Sequence, residues 1–250
     1  MAEMIHGAPS TVLAVFAHPD DPDVACGGSL ARWAREGTEV HVVVCARGEK
    51  GTLDPAVDTA RLGVARLAEL AAAGAVIGTA TQHLLGYPDG ELPGGSLLES
   101  QIVALVRRVR PDVVMCHDPE AVMFGQDYYN HRDHRMVGWS TLDAVSPAAA
   151  LPHYFPALGP AHQVRTVYLS GTLVPDVWVD IGHTIETKVQ AVNCHATQFG
   201  GERPGSGQGG EGDSWSEVRV AAAVRRRAQE AGSTAGVAFA EGFRRLRLVR

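Results

Sequence analysis

The stretch TVLAVFAHPDD, residues 11–21, indicates the class of fold because a short apolar run leads directly into a polar turn. Thr11–Ala17 is rich in β-forming residues and shows no alternation of polar and apolar side chains. Such a run is typical of a strand that is buried on both faces of a parallel sheet. The stretches EVHVVVCA at residues 39–46 and DVVMCH at residues 112–117 have the same character. The sequence therefore predicts a core of buried parallel strands.

Helix-forming stretches separate these strands along the chain. Ser96–Arg110, for example, carries apolar residues at helical spacing and stops before Pro111. Strands that alternate with helices predict an α/β protein, here a Rossmann-like three-layer α/β/α sandwich with a mainly parallel sheet. Further strands are predicted at Thr81–Leu85, Val164–Ser170 and Val177–Ile181, and further helices at Val24–Glu36, Val57–Ala73, His131–Val145, Thr184–Gln198 and Trp215–Ala231.

No break in composition divides the 250 residues, so we expect a single domain spanning residues 1–250. Gly200–Asp213 is rich in glycine and lacks aliphatic and aromatic side chains, which predicts a mobile surface loop. Apolar residues make up 45% of the chain and charged residues 20%, which excludes wholesale disorder and a coiled-coil rod.

Charge and hydropathy exclude several classes of partner. The net charge of −6 leaves no basic footprint for nucleic acid. No apolar stretch is long enough to span a bilayer, so no membrane is expected as a partner. The N-terminal MAEMIHGAPS lacks the basic region of a signal peptide, and the four cysteines show no CxxC spacing, so we expect a cytoplasmic protein with reduced thiols. A homo-oligomeric state is left open.

Polar clusters follow the predicted strands, at the edge where ligands bind in parallel α/β sheets. They are His18-Pro19-Asp20-Asp21, Arg47–Gly51 and His117-Asp118, and a further cluster, His131-Arg132-Asp133-His134, opens the next helix.

His18, Asp21 and His134 would together make a catalytic type of zinc site. Two imidazoles and one carboxylate leave a fourth position open for water. Asp20, adjacent but pointing elsewhere, is then available to take a proton from that water. His131 lies three residues before His134, where it could polarise a substrate oxygen, and Asp133 could hold an imidazole in place.

A structural interpretation competes with this one for each motif. An Asp-Asp pair beside proline is common in turns and helix caps, and Asp23 is itself predicted as the N-cap of the first helix. Histidine at a helix start is often only a solvated polar residue. The two motifs together, both at strand ends of one α/β chain, favour the metal site.

The motifs AHPDD at residues 17–21, NHRDHRMVG at 130–138 and CHATQ at 194–198 resemble those of the PIG-L/LmbE-like deacetylases. The resemblance runs from about Val12 to Leu246, and Pro22-Asp23 replaces the glutamate that often follows the HPDD motif. It implies a zinc-dependent enzyme that removes N-acyl groups from glucosamine-containing molecules. One zinc ion would be held by His18, Asp21 and His134.

The resemblance also implies catalytic and substrate-binding residues. Asp20 would be the general base, and His131, with Asp133 behind it, would aid the tetrahedral intermediate or the leaving group. Tyr129 would lie near the substrate carbonyl, and Arg66 and Asp89 would contact the sugar. His195 and Gln198 match an HxxQ segment that would at most line the site.

The sequence thus predicts a zinc-dependent hydrolase that removes an N-acetyl group from a small amino-sugar conjugate and yields acetate and a free amine. An amidase that cleaves a larger acyl group from a glucosamine conjugate is one alternative. A metallophosphoesterase, which would need two metal ions, is another. The loops Pro119–Asn130 and Leu151–Ala161 are expected to select the substrate.

Overall fold

The computed structural model describes residues 2–126, 128–199 and 217–248. The loop predicted at Gly200–Asp213 lies outside the described residues. Among the described residues, the strands of the main sheet are β1 (Glu3–Met4), β2 (Thr11–Phe16), β3 (Glu39–Ala46), β4 (Thr81–Tyr87), β5 (Val113–His117), β8 (Thr166–Ser170), β9 (Val177–Asp180) and β10 (Ala240–Arg247), and a small hairpin is formed by β6 (Met123–Phe124) and β7 (Tyr128–Tyr129).

The main sheet confirms the predicted topology in most of its pairings. Its strand order is β1-β9-β10-β8-β5-β2-β3-β4. β2 pairs in parallel with both β3 and β5, and β5 pairs in parallel with β8. β10 is the exception, because it runs antiparallel between β8 and β9. The sheet is therefore mainly parallel, with one reversed strand inserted near one side.

Helices cover both faces of this sheet. They are α1 (Asp21–Arg35), α2 (Thr59–Ile77), α3 (Ser96–Val109), α4 (Arg132–Asp143), α5 (Ile185–Asn193), α6 (Ala196–Phe199) and α7 (Glu217–Ala235). Alternate residues of β2 point to opposite faces: Val12, Ala14 and Phe16 join one core cluster, and Leu13 and Val15 join the other. The first cluster includes side chains of α1, α2, α5 and α7, and the second includes side chains of α3 and α4. This arrangement is the predicted three-layer sandwich. Among the described residues, no helix combines the length and the apolar character needed to cross a bilayer.

The start of α1 differs from the prediction. Asp20, not Asp23, occupies the N-cap position, and its side chain makes no capping hydrogen bond. Asp23 is instead buried inside the first turn, where its Oδ2 lies 2.8 Å from Nε2 of the buried His195. The prediction of Asp23 as the N-cap was therefore wrong, because a histidine distant in sequence takes up its carboxylate.

The segment that follows α4 lies at the edge of the sheet opposite to the polar clusters. A helix that connects parallel strands returns the chain to their amino ends. There the backbone N–H of Arg165 donates to the carbonyl of Asp112, and Nε2 of His162 lies 2.8 Å from the carbonyl oxygen of Pro111. Leu151–Ala161 is bound to this edge through Arg107, and its part in substrate selection stays a prediction.

Arg107 of α3 holds residues 148–159 of this segment in place through hydrogen bonds. The residue is 3% exposed, and its guanidinium donates hydrogen bonds only to backbone carbonyl oxygens among its described contacts. Because the segment has little regular secondary structure, these bonds satisfy carbonyl groups that would otherwise be buried without a donor. The acceptors belong to Ala148, Ala149, Leu151, Tyr154, Phe155 and Gly159.

Candidate metal centre and active site

His18, Asp21 and His134 converge at the carboxyl edge of the sheet. His18 follows β2, Asp21 opens α1, and His134 lies in the first turn of α4. Nδ1 of His18 lies 3.2 Å from Nε2 of His134. Asp21 places Oδ2 3.3 Å from Nδ1 of His18 and Oδ1 3.3 Å from Nε2 of His134. Its Oδ2 also accepts the backbone N–H of His18 at 2.7 Å, which fixes the carboxylate in the turn.

The partners on the far sides of the two rings indicate what these facing nitrogens can bind. Nδ1 of His134 lies 3.0 Å from Oδ1 of Asn130, an acceptor, so the proton of a neutral ring belongs on Nδ1 and Nε2 presents a lone pair. Nε2 of His18 lies 3.1 Å from Oδ1 of Asp89 without hydrogen-bond geometry, and this nearby carboxylate favours the proton of a neutral ring on Nε2, with the lone pair on Nδ1. Two lone pairs and a carboxylate then face one another with no hydrogen between them. This donor set fits a divalent cation, and two imidazoles with a carboxylate suit zinc.

The electrostatics of the metal-free site set the charges of His18 and Asp21. Burial lowers the pKa of His18, but its contacts with Asp133, Asp21 and Asp89 outweigh burial and raise the pKa well above its usual value. Burial raises the pKa of Asp21, yet His134 and His117 hold that pKa well below its usual range. Without a metal ion, the protonated form of His18 is therefore favoured, and a cation bound at Nδ1 would displace that proton, whereas Asp21 stays anionic.

His117, at the end of β5, is a site residue to which the sequence analysis assigned no role. Its Nε2 lies 3.2 Å from Oδ2 of Asp21, and its ring stacks on His134 with a centroid separation of 4.0 Å and an interplanar angle of 8°. Burial and the neighbouring His134 lower its pKa to about 4, so the ring is neutral near pH 7. Asp21, His117 and His134 are a second group that could hold a metal ion. The sequence feature that could have identified His117 as a site residue is its place at the end of a buried strand, β5, which pairs with β2.

His131 is the N-cap residue of α4, and its ring is oriented by the helix that it caps. Its Nδ1 accepts the backbone N–H of Asp133 at 3.2 Å. Burial and the nearby His18 lower its pKa, so the ring is neutral with its proton on Nε2. The ring centroid lies 4.9 Å from that of His18. His131 is thus a fixed hydrogen-bond donor beside the metal-ligand candidates.

The side chains of Asp133 and Asp89 both lie against His18. Oδ2 of Asp133 is 3.6 Å from Nε2 of His18 and accepts the backbone N–H of Gly90 at 2.8 Å. The carboxylate of Asp133 therefore lies behind His18, whereas only its backbone amide contacts His131. Asp89, implied by the resemblance as a sugar contact, instead approaches His18 in this structure. Burial raises the pKa of Asp89, but its hydrogen bond to His18 outweighs burial and lowers that pKa.

Asp20 precedes Asp21 in the chain, and its carboxylate makes no capping hydrogen bond to α1. Burial and the adjacent charge of Asp21 raise its pKa, and His195 and His18 offset part of this effect. Because its side chain forms no capping bond, Asp20 is available to exchange a proton.

Two other predicted residues have no described contact with the cluster. Arg66 is 4% exposed and lies beneath the loop after β3, where its Nη2 donates to the carbonyl of Gly51 and to Oε1 of Gln198. Tyr129 is 58% exposed in the β6–β7 hairpin, with Cζ of Arg135 4.8 Å above its ring. Contact between Arg66 and a sugar would require the loop or Gln198 to move.

Comparisons with known proteins agree on the family. Residues 13–145, just over half of the chain, match the family model described as PIG-L: GlcNAc-PI de-N-acetylase. Diacetylchitobiose deacetylase of Thermococcus kodakarensis is 32% identical over 193 residues, which cover 75% of this chain and 70% of the relative. The 1D-myo-inositol 2-acetamido-2-deoxy-alpha-D-glucopyranoside deacetylase of Segniliparus rotundus is 35% identical over 250 aligned residues, covering 75% and 76% of the two chains.

A solved structure extends the likeness to nearly the whole chain. N,N'-diacetylchitobiose deacetylase from Pyrococcus horikoshii superposes with a TM-score of 0.82 at 27% identity, covering 96% of this chain and 84% of that one. The predictions of the fold class and of an N-deacetylase are confirmed by these relatives. Together with the motifs AHPDD and NHRDH at the carboxyl edge of the sheet, they establish that the chain belongs to the PIG-L family of de-N-acetylases.

Proposed function

We propose that this protein is a zinc-dependent hydrolase that removes the N-acetyl group from a small molecule containing N-acetylglucosamine. The products are acetate and a free amino sugar. The observation that carries the proposal is the convergence of His18 Nδ1, His134 Nε2 and the Asp21 carboxylate, with Asn130 favouring a lone pair on His134 Nε2. The relatives named for diacetylchitobiose and for a GlcNAc–inositol conjugate support this substrate class.

His18, Asp21 and His134 would hold one zinc ion, and the ring of His117, stacked on His134, would lie beside Asp21. Zinc bound there supplies Lewis acidity, which polarises an amide carbonyl and makes water a stronger acid. Three groups of histidine and acidic side chains among the described residues could hold a metal ion, and they overlap, because His18, His131 and His134 each belong to two of them. Sets that share ligands favour one ion over the two that a metallophosphoesterase would need.

Asp20 is the proposed general base. Its carboxylate would accept a proton from the attacking water and later deliver it to the leaving amine. The raised pKa of Asp20 suits this exchange, because a group with a pKa closer to neutral both accepts and returns a proton readily.

His131 is the proposed hydrogen-bond donor to the substrate carbonyl. Its Nε2–H is fixed by the bond that Nδ1 accepts from the helix, so little reorganisation is needed when the carbonyl oxygen gains charge. Asp133 and Asp89 keep the ring of His18 in place. Sugar contacts of Arg66 and Asp89, and a role of Tyr129 near the carbonyl, stay predictions, as do the cytoplasmic location and any homo-oligomer.

Metal analysis combined with an amine-release screen tests the proposal. The protein should bind about one equivalent of zinc and release amine from N-acetylglucosamine conjugates such as diacetylchitobiose. His134→Ala should lose both zinc and turnover, whereas Thr38→Val, at the opposite edge of the sheet, should keep both. Two tightly bound equivalents of zinc would contradict the single-metal site. Release of larger acyl groups without release of acetate would favour the amidase.

A further inference from the structure

Lys188 of α5 and Glu241 of β10 form a buried ion pair that the proposed mechanism does not use. Nζ of Lys188 lies 2.5 Å from Oε1 of Glu241, and the two residues are 6% and 5% exposed. A buried ion pair is costly to desolvate and is weak evidence of a purely stabilising role. The partners of this pair indicate a more specific task.

Both members of the pair bind to a break in α1. Cys26 has φ −144° and ψ 15°, which interrupts the helix between its first turn and the remainder. In a continuous helix the N–H of Gly28 would donate to the carbonyl of Val24, four residues earlier. Here that N–H donates to Oε1 of Glu241 at 3.0 Å, and Nζ of Lys188 donates to the Val24 carbonyl at 2.8 Å. The ion pair thus takes the place of a missing helical hydrogen bond.

Further bonds fix the same break. The backbone N–H of Ser29 donates to Oε2 of Glu241 at 2.7 Å, and its hydroxyl donates to the same oxygen at 2.5 Å. Thr184 donates through its hydroxyl to the carbonyl of Gly28 at 2.8 Å. A carboxylate that accepts backbone N–H groups at the start of a helical segment makes strong, charge-assisted hydrogen bonds. The second segment of α1 is therefore capped by a residue from the last described strand.

The first turn of α1, on the other side of the break, carries Asp20 and Asp21. We propose that the Lys188–Glu241 pair positions Asp21 among its histidine neighbours by holding the break in α1 at a fixed geometry. Without the pair, the N–H of Gly28 and the carbonyl of Val24 would be free to form the missing helical hydrogen bond. The first turn of α1, which carries Asp21, would then rotate relative to the rest of the helix. The inference rests on the proposed metal site, and it makes both members of the pair positioning residues.

Zinc affinity measured by competition with a chelator tests this inference without reference to turnover. Glu241→Gln keeps the shape of the side chain and removes its charge. Its dissociation constant for zinc should rise by about tenfold, as is typical when a residue supporting a metal ligand is lost. Its denaturation midpoint should also fall, because Lys188 is left buried without a counter-ion.

A double variant separates positioning from stability. In Lys188→Met with Glu241→Gln, the uncompensated charge is gone, so the denaturation midpoint should recover while zinc binding stays about tenfold weaker. Ser29→Ala removes one hydroxyl from the network and should weaken zinc binding by about threefold. Thr38→Val, the control, removes a 2.7 Å hydrogen bond to the carbonyl of Pro9 beyond the other end of α1. It should lower the midpoint and leave zinc affinity unchanged.

Zinc affinities within twofold of wild type in the double variant and in Ser29→Ala would overturn the inference, whether or not Glu241→Gln folds. A wild-type protein that fails to bind zinc, or a His134→Ala variant that binds it as tightly as wild type, would contradict the proposed function instead. The two failures are therefore distinguishable.

Discussion

Replacing Asp20 by asparagine should separate catalysis from metal binding and from folding. Asp20 and Asp21 are neighbours with the same side chain, yet only Asp21 lies within 3.3 Å of the imidazole nitrogens of His18 and His134. Asp20→Asn should therefore keep its zinc. Loss of a general base lowers turnover by about a hundred- to ten-thousandfold, which corresponds to about 2.7–5.4 kcal/mol in the activation free energy.

The structure also predicts what the substitution does to stability. An aspartate that capped α1 would contribute about 1 kcal/mol, which alanine would lose. Because the Asp20 side chain makes no capping bond, Asp20→Ala should show no such loss. The pKa of Asp20 is raised in the folded protein, so the ionised carboxylate destabilises the fold above that pKa. Both neutral variants of the metal-free protein should therefore be at least as stable as wild type at pH 7, and this advantage should disappear as the pH falls below the ordinary pKa of aspartate.

The assay compares amine release per zinc-loaded molecule at saturating substrate, with zinc content and urea denaturation measured on the same preparations. Asp21→Asn is the matched control, and it should lose zinc as well as turnover because a neutral amide is a poorer ligand than a carboxylate. Zinc-loaded Asp20→Asn with more than a third of the wild-type turnover would refute the role of Asp20 as the base. A drop of about 1 kcal/mol in Asp20→Ala would show that the residue stabilises the turn.

Three further substitutions test parts of the structure outside the proton-transfer step. Asn130→Ala removes the 3.0 Å partner of His134 Nδ1 and should weaken zinc binding by about tenfold in a chelator competition. Arg107→Met should lower the unfolding free energy in urea by about 3 kcal/mol or more, because several buried carbonyl groups lose their donor. Turnover per folded molecule should stay at the wild-type value, and a reduced turnover would show that the amino edge of the sheet influences the site. Gly138→Ala places a Cβ 2.8 Å from the carbonyl oxygen of His117 and should cost about 1–3 kcal/mol in thermal unfolding, and an unchanged midpoint would mean that α4 can shift freely.

Local sequence patterns were sufficient to predict most strands and helices and the edge at which the site forms. TVLAVFA, EVHVVVCA and DVVMCH lie in β2, β3 and β5 because buried parallel strands have an unbroken apolar character. The antiparallel insertion of β10 was not predictable in this way. Its pairing with β8 and β9 depends on partners that lie far away along the chain, and periodicity within β10 carries no information about them.

The same distinction holds for the site. His18, Asp21 and His134 were predicted because two short motifs each carry several ligand types at strand or helix ends. His117 was noticed only as a strand-end residue, since its role arises from the pairing of β2 with β5, about 100 residues apart in sequence. Asp23 was assigned to a helix cap because it lies near a predicted helix start. Its actual partner, His195, lies 172 residues away, and no local pattern connects the two residues.

The position of Glu241 has a consequence for the order in which the protein matures on the ribosome. Domains begin to fold while synthesis proceeds from the N-terminus. β2, α1 and β3 are made early, yet the carboxylate that caps the second segment of α1 belongs to β10, which is translated after every other described strand. The nascent chain can therefore assemble the central strands while the turn bearing Asp20 and Asp21 still lacks its anchor. Nascent chains that stop before β10 should accordingly be able to form the central strands and yet bind zinc more weakly than chains that include β10.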